Sequence, residues 1–122
     1  MDTEKIHSYK DLTVWQKAID LTEAIYNLVK YFPREEMFGL TSQIKRASVS
    51  IPSNIAEGRR RGSRKEFSQF LRIAYGSGSE LETQLHIAKK LGFGNNLDYN
   101  KAEQLLLEVM KMLNKMLTTL KS

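Results

Sequence analysis

The chain has 122 residues, 41% of them apolar and 27% charged, with a formal net charge of +5 and no cysteine. That length makes one domain, able to bury about two-thirds of its unfolded surface without staples. The missing cysteines exclude disulfides, thiolate chemistry and zinc–sulfur sites, and only two prolines interrupt the chain, which favours long helices.

Residues 1–10 show no periodicity and read as a flexible N-terminal arm, leaving 11–122 for the folded domain. The polar stretch Met1 to His7 lacks the apolar core of a signal peptide. No segment has the apolar length of a membrane span. The expectation is a cytoplasmic protein with no membrane partner.

The first helix reads from about Leu12 to Tyr31. Leu12, Trp15, Ala18, Ile19, Ile25, Tyr26 and Val29 recur at three-four spacing, with Thr22 on the same line. Phe32-Pro33 ends it, because a residue before proline is pushed out of the α region. The second helix reads from about Glu35 to Arg60, with Glu35 and Glu36 complementing the dipole of its first turn. Its buried stripe is Leu40, Ile44, Ala47, Ile51 and Ile55. Pro52 lies inside this run, removes one backbone hydrogen bond and predicts a kink near Ser48 to Ile51. Ser48, Ser50 and Ser53 are the nearest groups to satisfy what it frees.

Gly58 and Gly62 bracket an arginine run where this helix must end. Ser63-Arg-Lys-Glu66 matches a capping box and starts the third helix. Its core line is Phe67, Phe70, Leu71, Ala74, Gly78, Leu81, Leu85, Ala88 and Leu91. Gly76-Ser-Gly-Ser79 alone reads as a loop, yet the apolar phase passes through it unbroken. One long helix is predicted, its small residues letting a neighbour approach closely. Gly92 to Asn96 supplies the stop. The fourth helix reads from about Asp98 to Leu120, capped by Asn96 or Asp98. Four helices with short connections predict an all-α fold, an antiparallel up-down-up-down four-helix bundle with its second helix kinked at Pro52.

On a wheel of about 100° per residue, the apolar residues of the last helix from Leu105 to Leu120 cover about 160°, and Leu107 lies beyond. One buried face needs a stripe only somewhat over 100°. The surplus holds Met110 and Leu117 besides Leu107, and Ile73 and Ile87 on the third helix also lie off its core line. These five residues are the candidate oligomer interface. The plainer reading makes the last helix simply central in the bundle.

The charge is uneven. Residues 45–72 hold eight basic residues against two acidic ones, a local net of +6 that leaves −1 for the rest. Lys45, Arg46, Arg59, Arg60, Arg61, Arg64, Lys65 and Arg72 are the candidate nucleic-acid-binding residues, offering donors to phosphates. The third-helix strip of Lys65, Ser68, Arg72, Gly76, Ser79, Thr83, His86 and Lys90 contains no acid. The helix start at Ser63 adds free backbone N–H groups. Phe67 and Phe70 read as core, so stacking on bases has no support from them. A solvated surface that keeps the protein soluble is the competing reading.

Catalytic chemistry has little to work with. Glu82 and His86 form one pair at the wrong spacing for a di-iron bundle, with no second copy. His86 reads as a surface residue and His7 as uninvolved. Glu80 and Glu82 face different directions on a helix. Gly76-Ser-Gly78 lacks the strand and the following glycine of a dinucleotide turn. Glu57 reads as a half-exposed helix-end ion pair rather than a buried carboxylate. No enzyme, cofactor or metal site is expected.

The stretch Leu40-Thr-Ser-Gln-Ile-Lys-Arg-Ala-Ser-Val-Ser-Ile-Pro-Ser-Asn-Ile-Ala-Glu-Gly58 resembles the signature of the four-helix-bundle proteins first noticed in intervening sequences of 23S ribosomal RNA genes. Leu12-Thr-Val-Trp-Gln-Lys-Ala18, the segment from Ser63 to Ser79, and Glu80-Leu-Glu-Thr-Gln-Leu85 match as well, so with the fourth helix the resemblance covers nearly the whole chain. It implies an antiparallel bundle and a ring-like homopentamer. The chain is also similar to the accessory proteins of diversity-generating retroelements, which share the pentameric bundle, are basic, and bind nucleic acid and a reverse transcriptase. Only the basic positions around Lys45, Arg46 and Arg59 to Lys65 carry over. A gene-location name does not imply binding to ribosomal RNA.

These readings predict a non-catalytic homo-oligomeric scaffold whose basic surface binds RNA or DNA through phosphates, without sequence specificity. The alternative is a protein–protein interaction module or adaptor with no nucleic-acid role.

Overall fold

A computed structural model describes residues 8–121. Four α-helices account for most of them: α1 (Thr13–Val29), α2 (Leu40–Arg61), α3 (Arg64–Lys90) and α4 (Asn96–Lys121). There is no strand among the described residues. Each helix packs on the helices next to it in sequence, and α4 closes on α1. The cross-helix contacts run in opposite numerical order along each neighbouring pair. Thr22 meets Ser48 and Tyr26 meets Lys45. Ser50 meets Ser77, while Gly58 abuts Phe67 and Phe70. Arg64 reaches Leu120 and Lys89 reaches Glu103.

The core is a single seam through all four helices: Leu21, Ile25 and Leu28 from α1, Ile44, Ile51 and Ile55 from α2, Leu71, Leu81 and Leu85 from α3, and Val109 and Leu113 from α4, all fully buried. Each such side chain contributes roughly 1.5–3 kcal/mol relative to exposure. On α2, Ile44, Ala47, Ile51 and Ile55 are buried as predicted and Leu40 is half-buried, while the wide apolar arc of α4 buries Leu106, Val109 and Leu113 and leaves Leu105, Met110, Met112, Met116, Leu117 and Leu120 partly covered. On α1 the buried residues are Val14, Ala18, Leu21, Ala24, Ile25, Leu28 and Val29, of which the sequence predicts Ala18, Ile25 and Val29, whereas Ile19 and Tyr26, expected in the core, are exposed. Leu91, expected to end the α3 core line, is exposed too.

Several boundaries differ from the sequence reading for local reasons. The sequence places residues 8–10 in a loose arm, but Ser8 caps a 3-10 turn over Tyr9–Asp11, accepting from the Lys10 N–H at 3.1 Å. Positions 1–7, including His7, lie outside the described residues. Glu35 and Glu36 lie in a separate 3-10 turn over Arg34–Glu36 rather than in α2. Glu36 Oε1 then accepts the Leu40 N–H at 3.2 Å and so starts α2 from outside. Ser63 caps α3 as predicted, accepting from the Glu66 N–H at 3.1 Å, while its hydroxyl donates to Glu66 Oε1. At the start of α4 the capping side chain is Asn95, not Asn96 or Asp98: its Oδ1 accepts the Asp98 N–H at 2.9 Å.

α3 passes without a break through Gly76-Ser-Gly-Ser79. Gly76 faces open space, but a Cβ on Gly78 would overlap Met110 Sδ. The small residue at 78 therefore admits a methionine of α4 rather than a neighbouring backbone. The neighbouring helix comes close at Gly58, where a Cβ would fall 2.6 Å from Phe70 Cβ and 3.4 Å from the Phe67 carbonyl oxygen.

Candidate nucleic-acid interface

The turn between α2 and α3 concentrates charge because Gly62 adopts the left-handed backbone (φ 89°) and reverses the chain between two basic segments. Arg59, Arg60 and Arg61 close α2, and Arg64 and Lys65 open α3. Five of the eight predicted cations thus lie at one pole of the bundle. Arg72 stands two turns up α3. Lys45 and Arg46 lie four turns down α2, about 21 Å from Arg60 at 1.5 Å per residue. The structure therefore separates the eight residues into a pole and a distant pair.

The cations differ in what already holds them. Arg61 pairs with Glu57 at 2.9 Å and stands 3.9 Å from Glu66, with its guanidinium 5.0 Å from the Phe70 ring centroid. Glu57 is thus the exposed helix-end ion pair that the sequence favoured. Arg64 Nη2 donates to the Thr119 and Leu120 carbonyls at 3.4 and 3.3 Å, closing the end of α4. Arg60 lies over the Tyr9 ring at 5.3 Å, and Lys45 over Tyr26 at 4.9 Å. Arg59 is half-buried. Arg46, Lys65 and Arg72 are exposed and make no ion pair among the described residues.

The acid-free strip is open except at Ser68, which is buried. His86 lies on the surface as expected, in a groove of about 540 Å³ between α3 and α4 that also receives Tyr75, Glu82, Leu107 and Met110. The five interface candidates do not share one patch. Leu107 is 55% exposed and lines this groove with the half-buried Met110. Leu117 is half-buried against the core. Ile73 and Ile87 are exposed but absent from the groove lining. At 100° per residue they fall on the flank of α3 turned toward α2, with Ser77.

Sequence reasoning missed the aromatic part of the basic pole. Tyr9 packs edge-on against Trp15 with ring centroids 5.3 Å apart, directly beneath Arg60. The signal was present as two aromatics six residues apart near the start of α1, but nothing local says that the α2 terminus lies above them. No cluster of three or more metal-ligating side chains occurs among the described residues, and none of their helices is long and apolar enough to cross a membrane.

A sequence model of the family described as 23S rRNA-intervening sequence protein matches residues 10–115. A crystal structure of a protein with unknown function from the S23 ribosomal protein family of Bacteroides thetaiotaomicron superposes with a TM-score of 0.78 at 26% identity, covering 86% of this chain and 98% of that one. No curated protein matches the chain.

Proposed function

This chain belongs to the 23S rRNA-intervening sequence protein family, and from that premise we propose that it is a non-catalytic, self-assembling helical scaffold whose arginine-rich pole holds RNA or DNA by its phosphates. The observation that carries this reading is the gathering of Arg59, Arg60, Arg61, Arg64 and Lys65 around one glycine turn, at the N-terminus of α3 where backbone N–H groups also face outward. Guanidinium donors match phosphate oxygens in a bidentate fork. The similarity to the basic accessory proteins of diversity-generating retroelements points the same way, as does their pentameric ring. Copies arranged in a ring multiply a weak patch by avidity.

Self-association is supported by Leu107, a leucine more than half exposed in the α3–α4 groove, and by Ile73 and Ile87 on the opposite flank of α3. Two separated apolar patches suit a head-to-tail contact, which closes into rings. The protein-adaptor reading uses the same groove for a foreign partner.

The test is a salt titration of binding to unrelated RNA and DNA sequences. If each protomer engages about four phosphates, the log–log salt slope per protomer is about −3 to −4. Replacing Arg59, Arg60 and Arg61 together by Ala weakens every sequence alike. Affinity independent of salt, or no binding at low salt, refutes the proposal.

A further inference from the structure

We infer that the basic pole is built for single-stranded nucleic acid, with Tyr9 and Trp15 forming a stacking platform for an unpaired base beside the phosphate-binding arginines; this rests on the phosphate-binding reading above. The N-terminal turn that carries Tyr9 is fixed rather than trailing. Ser8 caps it, Gln16 Nε2 donates to the Lys10 carbonyl at 2.9 Å, and the Tyr9 ring meets Trp15 edge-on. Both rings remain partly exposed. Trp15 packs its inner side against the edge of the core, whereas Tyr9 lies outside it and is held only at the surface.

The charge around them suits an anionic polymer. Lys10, Arg59, Arg60, Arg61, Arg64 and Lys65 stand against Asp11, Glu57 and Glu66 at this pole, and Glu57 is already paired with Arg61. The Arg60 guanidinium lies over Tyr9 where the face of a base would stack. Guanidinium and base compete for the same π-face, and a phosphate offers the displaced guanidinium a stronger, charge-assisted partner. Binding therefore exchanges a cation–π contact for a stacked base plus an Arg60–phosphate contact. A duplex keeps its bases inside the helix and gains only the phosphate term, whereas every unpaired base has a face to give.

Trp15 is the sole tryptophan of the chain, so its emission reports on this platform alone. The experiment titrates the full-length protein at low salt with a short oligothymidylate and with a mixed-sequence duplex of equal length, following both anisotropy and Trp15 fluorescence. The single strand is expected to bind about tenfold more tightly than the duplex and to quench Trp15. Tyr9→Leu, which keeps an apolar contact to Trp15, is expected to lose about tenfold for the single strand while leaving duplex affinity and the salt slope unchanged. Tyr9→Phe retains wild-type behaviour. Salt-dependent binding that is equal for both forms, an unquenched Trp15, or a Tyr9→Leu variant that binds the single strand as wild type overturns the stacking inference and leaves the phosphate reading standing. Failure of both forms to bind at low salt overturns both readings.

Discussion

Thr22 on α1 donates its hydroxyl to the Ser48 carbonyl of α2 at 3.1 Å, and Ser48 is the residue four positions before Pro52. A helical carbonyl normally accepts from the N–H four residues on, which proline lacks. The same Thr22 proton is shared with the Ala18 carbonyl at 2.9 Å. The Ser48 side chain itself is occupied, donating to the Lys45 carbonyl at 2.8 Å. The gap that proline opens in one buried helix is therefore filled from another, and α1 and α2 are tied at that level.

Thr22→Val keeps the shape and deletes the donor. It is expected to destabilise the protein by about 1–2 kcal/mol, the desolvation cost of an orphaned buried carbonyl. In a Pro52→Ala background the new N–H serves Ser48, and the penalty for Thr22→Val is expected to shrink by about 1 kcal/mol. Denaturant unfolding of the four proteins in the cycle measures this. Equal costs in both backgrounds would refute the proposed repair.

Gly58, Gly76 and Gly78, the glycines inside α2 and α3, are expected to respond differently to alanine. Gly76→Ala, exposed in mid-helix with open space around it, raises stability by about 0.5–1 kcal/mol through lost unfolded-state entropy. Gly78→Ala lowers it, because Met110 Sδ must swing aside. Gly58→Ala lowers it further, since the obstacle is Phe70 Cβ, which moves only with its helix. Thermal midpoints should therefore order Gly76→Ala above wild type, then Gly78→Ala, then Gly58→Ala.

Tyr99 is 2% exposed, and its hydroxyl has no hydrogen-bond partner among the described residues. Burial, followed by the charge of Glu103, pushes its pKa up from 10.0 to about 12. Below pH 10 the phenol is neutral in both states, so the stability contribution is fully present. As pH rises from 10 towards 12, the unfolded chain ionises first and the folded state loses ground, by about 2–3 kcal/mol when the whole shift is expressed. Tyr99→Phe is expected to leave neutral-pH stability unchanged or slightly higher and to flatten this alkaline limb relative to wild type. An identical alkaline limb in the variant would contradict the assignment.

Arg64 and Arg72 separate structural from surface charge. Arg64→Ala removes the donors closing α4 at Thr119 and Leu120 and is expected to cost about 0.5 kcal/mol, with faster amide exchange in the last turn of α4. Arg72→Ala is expected to change neither quantity and to reduce only the salt slope of nucleic-acid binding, by about 1. If Arg64→Ala leaves the last turn protected, its role is not structural.

Much of the fold was legible because hydrophobic phase is a local property. The apolar beat through Gly76 to Ser79 marked one continuous α3, and Ser63 with Glu66 marked its first turn. The α1 face was legible only in part, at Ala18, Ile25 and Val29, for a reason visible in the residues themselves. Ile19 and Tyr26 share one three-four line with Trp15, while Leu21 and Leu28 share another with Val14, Ala18 and Ile25. Both lines are apolar, and only docking between α2 and α4 selects the second.

The candidate site divides the same way. Chain order alone put the arginine run at the junction between α2 and α3, because Gly62 and Ser63 dictate a stop and a start in adjacent residues. That Tyr9 lies under Arg60, that Arg64 closes α4 fifty-five residues away at Thr119, and that Lys45 and Arg46 stand apart from the pole are consequences of packing. Helix type, cap and amphipathic phase follow from interactions within about one turn, which the sequence states directly. Which cation keeps its charge for a partner depends on groups distant in the chain, and only the closing of four helices around one seam brings those groups within reach.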